Sequence, residues 1–128
     1  MSNRRAMVID DSRAMRGILR RMLVEAGLEV IEAANGREAL DRLHAGELCD
    51  VALVDWNMPE MNGLEFVMAV RADPRFTAMR LMMVTTETEM HQVMRALEAG
   101  ADEYVMKPFT VDVVRDKLAI LGVGEPSA

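Results

Sequence analysis

The sequence has a single cysteine, Cys49, so no disulfide can form within the chain. A lone thiol suits a reducing compartment, and a cytoplasmic location is the expectation. Long apolar runs are missing as well. None approaches the length that crosses a bilayer, and the four apolar residues between Arg5 and Asp10 are too few for a signal-peptide core. Positive charge is in deficit, with a formal net charge of −6. An acidic domain of this kind does not wrap nucleic acid. Arg16, Arg20 and Arg21 share one predicted helix and read as a solvated face. No Gly-x-Gly-x-x-Gly and no P-loop follow the first apolar run, so a nucleotide or flavin cradle is not indicated. His44 and His91 lack metal-ligand spacing to each other and to Cys49. There is no internal repeat, low-complexity segment or linker. Nucleic acid and membrane are therefore not expected partners.

What remains is a chain of 128 residues, 51% of them apolar. That is enough for one core and one domain. Short apolar runs alternate with helix-period segments. Ala6–Ile9, Leu28–Ala33, Val51–Val54, Leu81–Val84 and Tyr104–Met106 read as strands. Between and after them, Met15 to Ala26, Ala39 to Leu43, Leu64 to Val70, Met90 to Leu97 and Val111 to Leu121 carry apolar residues at helical spacing. Asn35 and Asn62-Gly63 stand where helices start. Gly27 and Gly100 stand where they stop, and Asp73-Pro74 ends another. Glu29 and Glu32 break the second strand and mark it as an edge. Five alternating strands and helices predict an α/β fold, a parallel sheet flanked by five helices. With the second strand at the edge, the order is 2-1-3-4-5. The domain is expected to span 1–128, with a core over about 5–121, a frayed tail over 122–128 and no attached output module.

The residues that follow the strands hold the chemistry. The first strand ends at Asp10-Asp11, the third at Asp55, the fourth at Thr85-Thr86 and the fifth at Lys107-Pro108. In an open parallel sheet these ends share one edge, where ligands bind at the switch in strand order. Singly, each has a plain reading as a turn, cap or loop residue. Together they place three carboxylates beside a lysine and a hydroxyl. Carboxylates so grouped repel unless one is protonated or a cation joins them. Mg²⁺ suits such a site and commonly shares a phosphate oxygen. Lys107 offers a point charge to an anion. The set favours a phosphoryl group over an apolar ligand.

These residues, with Trp56-Asn57-Met58-Pro59 and Tyr104-Val105-Met106-Lys107-Pro108-Phe109, resemble the receiver domain of two-component response regulators, from about Arg5 to Leu121. The 2-1-3-4-5 order is a known trait of that flavodoxin-like fold, and so belongs to the resemblance too. Within the family, the Trp56–Pro59 stretch is most similar to single-domain chemotaxis members. The resemblance implies that Asp55 is a phosphoacceptor for a histidine kinase. It implies that Asp10, Asp11, Asp55 and the backbone carbonyl of Asn57 hold Mg²⁺, and that Lys107 binds the phosphoryl oxygens. Thr85 and Tyr104 become the switch, with Thr86 as the alternative hydroxyl, and the Lys107-Pro108 bond is cis. The implied partner surface is Thr88, Val93, Tyr104, Met106, Thr110 and Lys117. A flagellar motor switch protein or a phosphotransfer protein is the implied target. A monomer is expected, catalysing only its own phosphorylation and dephosphorylation.

Two other functions fit part of the pattern. A phosphorelay shuttle or phosphate sink would use the same chemistry. An aspartate-nucleophile phosphohydrolase needs a second Asp two places after the nucleophile, where this chain has Asn57. Glu60 after Pro59 and Ser12 after the acid pair depart from the usual pattern. Trp56, beside Asp55, is expected to be partly exposed. Cys49 reads as a small buried residue. Thirteen methionines is a high count. Met82 and Met83 read as core, and Met90 and Met106 are left open as adaptable surface.

Overall fold

A computed structural model describes residues 4–86, 88 and 90–124, the side chain of Met90 excepted. The elements in order are β1 (Arg5–Ile9), α1 (Arg13–Glu25), β2 (Glu29–Ala33), α2 (Gly36–His44), β3 (Val51–Asp55), α3 (Gly63–Arg71), a 3₁₀ turn (Pro74–Phe76), β4 (Arg80–Thr85), α4 (Met90–Ala99), β5 (Glu103–Met106) and α5 (Val111–Ile120). All strand pairs are parallel, in the order β2-β1-β3-β4-β5. The strands β1, β3 and β4 are apolar almost throughout because both faces of a central parallel strand are covered.

The period-two alternation of each strand divides the core. Met7, Ile9, Ala52, Val54, Leu81 and Met83 face α2, α3 and α4, meeting Leu40, Leu43, Phe66, Val67, Val70 and Ala96. Ala6, Val8, Leu53, Met82, Val84 and Val105 face α1 and α5, meeting Leu19, Leu23, Val114 and Leu118. The two adjacent methionines of β4 therefore fill opposite layers and are fully buried. As expected, β2 is an edge with an exposed Glu29.

Local signals place the helix ends. Ser12, Asn35, Asn62 and Thr110 each accept a backbone N–H from their own first turn. Only Asn62 has the reciprocal bond, from its own N–H to Glu65, that completes a capping box. Helix α5 ends in a Schellman motif: Gly122 donates to Ala119 and Val123 donates to Leu118. Gly122 has φ +77 there, and Val123 is buried beneath the helix. Arg4 also donates to the carbonyl of Gly122. The expected frayed tail is thus corrected at 122–124, because the motif carries an apolar residue back to the core; 125–128 lie outside the described residues. The short Pro74–Phe76 turn was not expected. It exists because Asp73 caps it and the Phe76 side chain is buried in the core on the α2–α3 side of the sheet.

Candidate functional site

The strand ends meet at the C-terminal edge of the sheet, as the order requires. Asp10 follows β1 and is 2% exposed. Its Oδ1 accepts the N–H of Ser12 at 2.8 Å, which fixes the carboxylate at the start of α1. Its Oδ2 is buried without a hydrogen bond. Burial raises the Asp10 pKa, and the Ser12 N–H and then Lys107 oppose that shift. Asp11 is exposed at the rim.

Asp55 is the last residue of β3 and is buried. Lys107 Nζ donates to Asp55 Oδ1 at 3.3 Å and stands 4.0 Å from Asp10 Oδ2. The lysine thus bridges two of the three acids. Carboxylate oxygens of Asp10, Asp11 and Asp55 all lie within 4.8 Å of one another. The single lysine cannot neutralise three such groups, and the bare Asp10 Oδ2 lacks a donor. A small divalent ion would supply the missing positive charge and would be coordinated by that oxygen in place of a hydrogen bond, so the acid set and the orphaned oxygen together fit Mg²⁺.

The strand that carries Asp55 is held tightly behind the site. Gly63 donates to the carbonyl of Trp56 at 2.9 Å, closing the loop that carries Asn57. A Cβ at Gly63 would lie 2.7 Å from the Asp55 carbonyl oxygen and 3.1 Å from the Trp56 Cα. Only glycine allows α3 to start this close to β3. Asn57 is exposed on that loop. Trp56 is 7% exposed and belongs to the core under α2 and α3, which corrects the expected partial exposure. The side-chain alternation that presents Asp55 to the site turns Trp56 inward.

Thr85 ends β4 and is buried, with its hydroxyl 3.3 Å from the Thr86 carbonyl that accepts it. Lys107 N–H donates to the Thr85 carbonyl at 2.7 Å, so Thr85 and the lysine are tied through the backbone. The Lys107-Pro108 bond is cis. Thr86 shares a hydrogen bond with the exposed Thr88 at 2.9 Å. Tyr104 is half-buried, and Lys117 Nζ sits 4.8 Å from its ring centroid while donating to Glu103 Oε1 at 2.9 Å. Thr110 is exposed and Met106 is half-buried. Val93 departs from the expected surface: it is 3% exposed, because α4 turns that position toward the sheet. The side chain of Met90, the other methionine with an open role, lies outside the described residues.

Sequence reasoning missed Arg16. It is no solvated residue. Arg16 donates to the Asp10 carbonyl at 2.7 Å and pairs with Glu32 Oε1 at 3.1 Å, while Arg20 pairs with Glu32 Oε2 at 3.0 Å. The two arginines, one turn apart, clamp α1 to β2, and Arg16 also braces the Asp10 backbone. An acid interrupting the second strand was the available signal. Cys49 is half-buried against the core, and burial pushes its thiol up to about 12. No helix among the described residues is long and apolar enough to cross a membrane.

Residues 6–119 match the family described as the response regulator receiver domain. The chain is 46% identical over 116 residues to "Chemotaxis protein CheY1" of Helicobacter pylori, covering 90% of this chain and 94% of that protein. It is 47% identical over 120 residues to "Chemotaxis protein CheY homolog" of Campylobacter jejuni, covering 92% of each. Among solved structures, chemotaxis protein CheY4 of Vibrio cholerae superposes with a TM-score of 0.86 at 34% identity, over 94% of this chain and 99% of that one.

Proposed function

This chain belongs to the response regulator receiver family, and we propose that it is a Mg²⁺-dependent phosphoacceptor of a chemotaxis pathway. The observation that carries the reading is the buried Asp55 carboxylate, held by Lys107 beside the unsatisfied Asp10. Asp55 attacks the phosphorus of a phosphohistidine on a kinase. A P–O bond forms, the P–N bond breaks, and the imidazole leaves with a proton from solvent. Asp10 and Asp11 hold the cation, with Asp55 and the Asn57 carbonyl completing its protein ligands. Bound there, Mg²⁺ supplies charge neutralisation for the phosphoryl oxygens. Lys107 supplies the fixed positive charge and keeps the acceptor oxygen oriented.

The new phosphoryl group adds charge and acceptor oxygens at the edge of β4. Thr85 exchanges its long bond to the Thr86 carbonyl for the phosphoryl oxygen. Movement at Thr85 opens room toward β5, and Tyr104 follows by leaving its contact with Lys117. The output face is then Thr88, Tyr104, Met106, Thr110 and Lys117, with Val93 supporting it from beneath. Its target is a component of the flagellar switch, in keeping with the chemotaxis names of the relatives. A cytoplasmic monomer suits that role.

Trp56, packed next to the acceptor, reports on the site. Mg²⁺ should change its fluorescence in wild type and in Asp55→Asn, and a small-molecule phosphodonor should change it further only in wild type. A donor response that persists in Asp55→Asn would remove Asp55 from the mechanism.

A further inference from the structure

The loop between β3 and α3 carries an unusual turn. Met61 N–H donates to the Pro59 carbonyl at 2.7 Å, and the residue between them, Glu60, has φ +65. This is a γ-turn with a positive central φ, rare for any side-chain-bearing residue. Glu60 is the only such residue among those described. Glycine or asparagine would occupy that conformation more readily. Positions of this kind persist where surrounding contacts over-determine them.

The contact here is Asn35. Its Nδ2 donates to Glu60 Oε2 at 3.2 Å, while its Oδ1 accepts the Glu38 N–H at 2.8 Å and caps α2. Both ends of one amide are used. Alongside, a Cβ at Gly36 would stand 2.8 Å from the Met61 carbonyl oxygen, so the β2–α2 and β3–α3 loops touch directly. The turn is therefore anchored to α2 from one side. On its other side the loop leads back through Met58 to Asn57, the residue whose carbonyl completes the proposed cation site.

We propose that the Asn35–Glu60 hydrogen bond is a strap that positions the β3–α3 loop and so sets the affinity of the acidic site for its divalent cation. Asn35 and Glu60 are positioning residues, and this inference rests on the metal-dependent reading of the site.

The strap separates from simple electrostatics by sign. Asn35→Asp keeps the cap oxygen but turns the donor into a second carboxylate facing Glu60. Added negative charge alone would tighten Mg²⁺ binding. Loss of the strap weakens it, by roughly three- to tenfold if one hydrogen bond holds the loop. The double variant Asn35→Asp/Glu60→Gln has the same rim charge as wild type with donor and acceptor exchanged. It should bind Mg²⁺ like wild type, whereas Asn35→Asp/Glu60→Ala should stay weak. Glu60→Gly relieves the positive φ while cutting the strap, so its Tm should hold or rise as its Mg²⁺ affinity falls.

The measurement is Mg²⁺ titration of Trp56 fluorescence, with thermal unfolding and exchange of the Met61 amide followed in chelator. Faster Met61 exchange in Asn35→Asp, with restoration in the Gln double variant, is the expected metal-free signature. Unchanged or tighter Mg²⁺ binding in Asn35→Asp overturns the strap. Absence of Mg²⁺ binding in wild type instead overturns the reading of the site itself.

Discussion

Replacing Asp10 by asparagine should stabilise the metal-free protein. Asp10 faces Asp55 within 4.8 Å and Lys107 at 4.0 Å. At an effective dielectric of about 20, the first distance corresponds to at least roughly 3.5 kcal/mol of repulsion and the second to roughly 4 kcal/mol of attraction. The two nearly cancel. Asp11 is exposed, and solvent and salt screen its share. What is left is the desolvation of a buried charge whose Oδ2 has no hydrogen bond. Leaving such a group unsatisfied costs about 1–3 kcal/mol. The amide introduced by Asp10→Asn keeps the oxygen that accepts from Ser12 and removes the charge, so the variant should gain an amount of that order. Urea unfolding at neutral pH in chelator measures it.

Magnesium should shrink the variant's advantage, and reverse it where that advantage lies at the low end of the range. Saturation to a hundredfold over Kd stabilises the native state by about 2.7 kcal/mol, and the variant loses most of that gain with a ligand. The pH dependence gives a second check. Burial raises the Asp10 pKa, so the native state holds this proton more tightly than the unfolded chain. The penalty is present above the raised pKa and vanishes below the unfolded value. In chelator, wild type should therefore gain on Asp10→Asn as pH falls through that window. A variant less stable than wild type in chelator would refute the claim that Asp10 is buried at a cost that a cation relieves.

Gly63→Ala should destabilise by about 1–3 kcal/mol, because its Cβ meets the Asp55 and Trp56 backbone; urea midpoints should fall, and phosphodonor reactivity should fall with them. Arg16→Ala should cost about 1–3 kcal/mol by removing a partly buried, charge-assisted bond to the Asp10 carbonyl. Weaker Mg²⁺ binding should accompany that loss, and Arg16→Lys should recover only part of it. Cys49, with its thiol pushed up to about 12, should resist alkylation at mildly alkaline pH in the native state and react freely in denaturant.

The architecture was legible because each level of the sequence agreed with the next. Uninterrupted apolar runs at β1, β3 and β4 could only be central parallel strands, and Glu29 and Glu32 could only suit an edge. The acid, hydroxyl and lysine positions followed from the strand ends, since topology alone brings them together. What stayed hidden depended on side-chain direction or on pairing across distant segments. Trp56 follows Asp55 in the chain but points inward. Val93 sits on a face that helical periodicity marks as apolar, which outweighed its assignment to a surface. The Arg16–Glu32–Arg20 clamp needs the α1–β2 packing to be known. Val123 looked like tail until Gly122 turned the chain back. The Asn35–Glu60 contact joins two loops that no local pattern connects.

The most direct test is to treat the protein with a phosphodonor and Mg²⁺, reduce with borohydride, and map the product by peptide mass spectrometry. An acyl phosphate at Asp55 would be converted to homoserine at that position, in wild type and only when Mg²⁺ is present. Reduction found at another aspartate, or phosphate retained on His44 or His91 with Asp55 unmodified, would contradict the account of the site.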